Sequence, residues 1–183
     1  MEHEEKEIGK SLKLLARTSF VVFIGVALSK IFTYLYKIII ARGFGPEAYG
    51  LFTLGFTITS FFVILSLFGL SDGLLRYVAL YKSKKQFNKI KTVYKFVIPF
   101  SLLAGIVFGI VMFFSSNFIA NNFFHSEELV IYLKVMSISV PFLVLAQLYL
   151  SLIRAFEHIK EYSFIMNILQ SGIRLLIISL LIF

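Results

Sequence analysis

The chain has 183 residues, 58% of them hydrophobic against the ~45–50% usual for soluble domains, with 22 Phe, no Trp and no Cys. A water-soluble fold of this length has too little interior for that apolar surface, and the mean hydropathy of +0.88 points the same way. The missing thiols exclude a disulfide scaffold and a Cys-ligated metal protein, and an aromatic share of 17% excludes disorder. The net charge is +8, but the cations punctuate apolar runs instead of gathering on a soluble face, so nucleic acid is not an expected partner. This is the composition of an integral membrane protein.

In chain order, residues 1–17 form a charged tail with Ile8, Leu12 and Leu15 at helical spacing among Lys10, Lys13 and Arg17. That pattern fits an amphipathic helix on the membrane surface, and equally a frayed charged end. A helix that crosses the hydrocarbon core needs about 20 mostly apolar residues. Five stretches qualify, at Thr18–Ala41, Gly50–Leu70, Phe96–Phe118, Leu129–Ile153 and Tyr162–Phe183, so the expected fold is all-α, with about five transmembrane helices in residues 18–183. The first is not a signal peptide: it is too long, carries Lys30 and Lys37, and lacks a small-residue cleavage site.

Basic residues set the expected orientation. The tail (Lys6, Lys10, Lys13, Arg17), the segment after span two (Arg76, Lys82, Lys84, Lys85, Lys89, Lys91, Lys95) and the loop after span four (Arg154, Lys160) share one side. The loops 42–49 and 119–128 on the other side contribute only Arg42. The amino terminus is therefore expected to be cytoplasmic, in a multi-pass cell-membrane protein. Residues 71–95 are expected to be partly helical and to lie against anionic headgroups.

Four cations remain inside the spans: Lys30, Lys37, Lys134 and Arg174. Lys134 lies near the outer end of span four and can stretch its stem to the headgroups. Lys37 is near the outer end of span one. Lys30 and Arg174 are close to mid-span, where a charge costs about 2.5–3.5 kcal/mol and usually faces a bundle interior or a wet cavity. Helical spacing sets Lys30, Thr33 or Tyr34, and Lys37 on one stripe, and Asn167, Gln170 or Ser171, and Arg174 on another. Thr53, Thr57 and Ser60 mark span two, and Gln147, Ser151 and Arg154 mark span four; such groups ordinarily join helices by hydrogen bonds. All ten acids lie in the tail or loops, so no span offers a carboxylate to its cations. A positive cavity without an internal counter-ion suits an anionic ligand such as a phosphate or pyrophosphate headgroup.

Pro99 and Pro141 fall inside spans three and four, where proline removes a backbone bond and can kink a helix. Gly105 and Gly109 form a small-xxx-small pair that admits a close neighbour. No phosphate-gripping GxxxxGK, dinucleotide GxGxxG or metal-binding HExxH pattern occurs. His3, His125 and His158 are dispersed, and Asp72 is the chain's one Asp, so neither a shared metal site nor an Asp-held Mg²⁺ is expected. Glu157–His158 reads as a solvated interfacial pair. No enzyme and no cofactor are expected.

Three stretches resemble the polysaccharide-flippase branch of the multidrug/oligosaccharidyl-lipid/polysaccharide (MOP) exporter superfamily, whose fold is MATE-like. Ala41-Arg42-Gly43-Phe44-Gly45-Pro46-Glu47-Ala48-Tyr49-Gly50-Leu51-Phe52 is similar to the family's ARxLGPExYGLF turn between its first two helices, physically a glycine loop feeding a proline-started helix. Gly69-Leu70-Ser71-Asp72-Gly73-Leu74-Leu75-Arg76-Tyr77-Val78-Ala79 resembles GLxxALxRYVA at the inner end of helix two. Leu152-Ile153-Arg154-Ala155-Phe156-Glu157, leading to Asn167-Ile168-Leu169-Gln170, resembles the LRGF connection into helix five. The resemblance covers this chain and the amino-terminal lobe of the family.

It implies flipping of a lipid-linked saccharide between leaflets by alternating access. The implied ligand is an anionic polyprenyl-(pyro)phosphate-linked saccharide, met by Lys30, Lys37 and Arg174. Arg42, Gly45, Pro46, Tyr49, Gly50 and Arg76 fall on family-motif positions. Two openings require a second lobe, so the chain is expected to be truncated or split, or to need a second polypeptide carrying the missing helices. Two alternatives stay open: a small accessory membrane protein without transport of its own, and a drug/cation antiporter fragment, which would want an intramembrane carboxylate.

Overall fold

An apolar chain in lipid must close its backbone hydrogen bonds within each segment, so helices are the available solution. The computed structural model describes residues 2–173 and 176, without the side chains of 2–18, 21, 159, 160 and 168. Among the described residues there is no strand. The elements are α1 (Glu2–Gly43), α2 (Gly45–Leu67), α3 (Leu70–Ser83), α4 (Phe87–Phe118, continued by a π-helical turn at Ile119–Phe123), α5 (Glu128–Ser137), α6 (Val140–Ala155) and α7 (Ile159–Ser163, continued by π-helical Phe164–Leu169). Two compact units divide the chain, residues 1–43 with 158–183, and residues 44–157.

The boundaries differ from the expected spans in instructive ways. Val22–Gly43, Gly45–Leu67 and Phe87–Phe123 are long and apolar enough to cross a membrane, and α5 with α6, bent by 51° at their break, makes a fourth if taken as one span. The expected fifth, Tyr162–Phe183, is helical where described to residue 173, and the remainder lies outside the described residues, apart from helical Leu176. Helix α1 runs unbroken through the expected join between tail and first span. The expected loop 42–49 shrinks to Phe44, because Gly45 takes a left-handed φ of +87° and Pro46 starts the first turn of α2. A left-handed pair, Phe68 (φ +46°) and Gly69 (φ +74°), separates α2 from α3.

The expected partly helical segment 71–95 is helical over 70–83 and again from 87, and residues 70–83 form an amphipathic helix. Leu74 and Val78, one turn apart, are fully buried, while Asp72, Arg76 and Tyr77 are exposed. Helix α3 packs on α4 and α6, so this basic segment belongs to the bundle of the second unit.

Helix α4 is the centre of that unit and touches α2, α3, α5 and α6. From Ser101 onward its buried stripe is made of small residues, Ser101, Gly105, Gly109 and Ser116, interrupted by Met112. Lipid supplies no hydrophobic drive between helices, so close backbone approach has to hold them together. A Cβ on Gly105 would lie 3.0 Å from the Cα of Pro141, and a Cβ on Gly109 would lie 3.0 Å from the carbonyl oxygen of Ser137. The facing side chains Val140, Val144 and Leu148 are fully buried against this stripe and its surroundings.

The two prolines behave differently. Helix α4 continues through Pro99, whereas Pro141 opens α6 after the break at Ile138–Ser139. The backbone around that break is kept satisfied: Ser139 N–H donates to Met136 O at 2.9 Å, and Leu143 N–H donates to Ser139 O at 2.9 Å. The hydroxyls of Ser137 and Ser139 donate to Lys134 O (2.7 Å) and Met136 O (2.6 Å). Gly105→Ala and Gly109→Ala are therefore each expected to destabilise the protein by about 1–2 kcal/mol net, overpacking outweighing the helix propensity gained. Gly73→Ala, where nothing lies within 4 Å of the added carbon, should be neutral or slightly stabilising. Thermal unfolding in detergent separates the two outcomes.

Candidate functional site

In the first unit, α1 packs on α7 and the π-helical turn that follows it. Gly25 and Ile40 are buried on this face and Ser29 is half-buried, while Ser29 and Ser171 share a hydroxyl–hydroxyl hydrogen bond of 2.9 Å. Asn167 Nδ2 donates to Ser163 Oγ at 3.0 Å, and that oxygen lies 3.3 Å from where a Gly25 Cβ would stand. The polar stripe expected on span five thus joins two helices through neutral groups as far as Ser171. Arg174, its expected cationic member, lies outside the described residues.

The cationic stripe of α1 is elsewhere on the same helix. Lys30 and Lys37 lie roughly 120–140° around the axis from Gly25 at 100° per residue, and both are exposed, with Tyr34 exposed between them. The two lysines are about 10 Å apart along the axis at 1.5 Å per residue. Neither forms an ion pair with a described carboxylate. Two ammonium groups are thus left on an open face of an apolar helix, with no acidic side chain of the described residues to neutralise them.

Most Ser and Thr hydroxyls of the second unit turn inward on their own helices. Thr53, Thr57 and Ser60 donate to the carbonyls of Tyr49, Thr53 and Phe56 at 2.8–2.9 Å. Buried Thr59 and Ser66 do the same to Gly55 and Phe62 at 2.7 Å. These residues do not bridge helices as the sequence pattern led us to expect; back-bonding one turn up is the shorter route to a partner in lipid. The span-four stripe does form a chain: Arg154 Nη2 donates to Ser151 Oγ (3.3 Å), which donates to Gln147 O (3.0 Å).

The family-motif positions serve helix ends. Arg42 is exposed in the last turn of α1, where a cation complements the helix dipole. Gly45 and Pro46 begin α2, Tyr49 lends its carbonyl to Thr53, and Gly50 is exposed. Arg76 is exposed on α3. Lys134 does not simply extend into solvent: it is half-buried, with its ammonium 5.8 Å from the ring centre of Phe113.

A contact the sequence reading missed is Lys82, at the end of α3. Its Nζ donates to Phe156 O at 2.9 Å, lies 5.9 Å from the Phe156 ring centre and 3.4 Å from Glu157 Oε2. Helix α6 ends here with Glu157 at φ +65°, so Lys82 supplies a charged donor to a carbonyl that the helix leaves open. The Leu70, Leu74, Val78 spacing was the available signal for a packed helix that could carry it there.

A family model described as polysaccharide biosynthesis protein matches residues 15–183. The chain belongs to this family. Within the polysaccharide biosynthesis protein family it is a multi-pass, all-α membrane protein. Neither a curated protein nor a solved structure matches it.

In this polysaccharide biosynthesis protein Lys82→Met is expected to cost about 1–2 kcal/mol, since a charge-assisted bond to a helix end is lost. Glu157→Gln should change stability by less than about 0.5 kcal/mol, because its side chain is 80% exposed. Denaturation of the two variants in the same detergent gives the comparison.

Proposed function

We propose that this chain contributes a helical lobe to a flippase that moves a lipid-linked oligosaccharide or polysaccharide precursor across the cell membrane, with Lys30 and Lys37 drawing its anionic phosphate or pyrophosphate linkage. The observation that carries the reading is the exposed cationic stripe on α1, unaccompanied by an acidic partner among the described residues. A charge in the hydrocarbon region needs an opposite charge or water nearby, and a phosphate-bearing cargo supplies the former. Membership of a polysaccharide biosynthesis family supports a saccharide as the remainder of that cargo. A complete transport cavity needs, on this reading, a second lobe. No reaction is catalysed; the work is binding and reorientation.

Lys30→Ala and Lys37→Ala are expected to lower surface glycan by roughly tenfold each, the scale of one charge-assisted contact, while membrane insertion is unchanged. Lys30→Arg should retain export. Normal glycan in both alanine variants would overturn the assignment of the stripe.

The distribution of basic residues supports a cytoplasmic amino terminus. The chain has no Cys, so single cysteines report sidedness directly. Exposed Asn88 and Asn122 flank α4 at opposite ends. In intact cells an impermeant maleimide should label Asn122→Cys and reach Asn88→Cys only after permeabilisation; the reverse pattern would invert the topology.

A further inference from the structure

A groove of about 300 Å³ opens where α4 passes the α5/α6 break in the second unit, lined by Ile106, Ile110, Phe113, Ile138, Pro141 and Phe142. Ile110 is 51% exposed, Ile138 66% and Phe142 69%, so its mouth is on the outer surface of this bundle. The volume is at the lower end for a small-ligand site, and the lining is almost wholly carbon. The groove exists because the break swings α6 away from the line of α5 by 51°.

A cation stands at one end of it. Lys134 is one turn before Ser137 on α5, and its ammonium is held over Phe113, itself a wall of the groove. Side chains lean toward the start of their helix, and there Glu127 falls in line with Lys134 about two turns earlier, with Glu128 beside it, both exposed at the head of α5. No described carboxylate pairs with it. Along α5, from the helix end inward, the order is acid, cation, apolar groove. The charge pattern of one amine-bearing phospholipid runs in that order: ammonium, phosphate, acyl chain.

We propose that this groove binds a phosphatidylethanolamine molecule of the surrounding bilayer. Its acyl chain fills the cleft made by the α5/α6 break, its phosphate meets Lys134, and its ammonium faces Glu127 and Glu128. An anionic phospholipid satisfies Lys134 but meets the two acids unfavourably, which sets the expected preference. The site is independent of what the protein transports.

Native mass spectrometry of the full chain in detergent, with dioleoyl phosphatidylethanolamine or dioleoyl phosphatidylglycerol added, tests this. The wild type should retain phosphatidylethanolamine in preference to phosphatidylglycerol. Lys134→Gln should weaken that retention roughly tenfold, the loss of one charge-assisted contact, and Lys134→Arg should keep it. Ile106→Trp, a change at a partly exposed groove position, should lower retention of phosphatidylethanolamine without touching the charges. Equal binding of the two lipids, or unchanged binding in both Lys134→Gln and Ile106→Trp, would overturn the proposal.

Discussion

The packing of the larger unit depends on one carbonyl group. Pro141 has no N–H to return to the carbonyl four residues earlier, which is that of Ser137. This oxygen is the atom that stands 3.0 Å from the Cβ position of Gly109. A proline in the middle of an apolar segment, the carbonyl it frees, and a glycine on the neighbouring helix therefore form one arrangement. Gly105 completes it by letting the Cα of Pro141 itself come close. The features fit one another: a Cβ at either glycine would press on this bent neighbour, and the break is what leaves the Ser137 oxygen without its helical N–H.

The same pressure to satisfy polar groups accounts for most of the hydroxyl pattern, buried Ser101 Oγ, which has no partner among the described residues, being an exception. In water a Ser or Thr on a helix face has solvent to bond; in hydrocarbon the nearest acceptor is the carbonyl a turn behind. Thr59, Ser66 and Ser151 use it although they are buried, and Thr53 and Thr57 use it although they face outward. Ser116, Ser137 and Ser139 bond instead to the carbonyl three residues back, at 2.6–2.7 Å. These small residues therefore act mainly through size and leave specific cross-helix bonding to a few sites, such as Ser29 with Ser171.

Membrane class, helical content, the cationic stripe of α1 and the small pair on α4 were legible in the sequence, because each rests on composition or on a period of 3.6 residues. Periodicity, however, says which residues share a face and not what that face meets. Lys30 and Lys37 share a stripe, as their spacing requires, and the folded chain leaves both exposed, roughly 120–140° around the axis from buried Gly25. Residues 71–95 are expected from the sequence to be partly helical and to lie against headgroups; what their charges obscure is that 70–83 pack in the bundle, although Leu74 and Val78 already mark the buried edge of a helix. Pro99 and Pro141 look alike in sequence, and only the neighbouring glycines and serines distinguish the one that ends a helix. The contact of Lys82 with Phe156 spans 74 residues and leaves no local trace.

The cations then sort by how their charge is met. Lys82 is answered within the protein, by a helix end and an exposed carboxylate. Lys89 stands over the Tyr81 ring at 5.6 Å, close to the exposed basic end formed by Lys84 and Lys85, where headgroups and water are at hand. Lys134 has an aromatic face and, one turn further along, an apolar cleft. Lys30 lies about 12 Å along α1 from Val22, where its apolar stretch begins, too deep for an easy reach to either surface. An ion with no partner at that depth costs several kcal/mol if it faces lipid permanently. On the proposed function that cost has a reason, because a charge already neutralised by a fixed carboxylate has little left with which to attract a phosphate. Binding free energy for a passing anion requires that the site be unsatisfied between passages, and on the proposed function Lys30 and Lys37, unpaired with any described carboxylate, provide that condition.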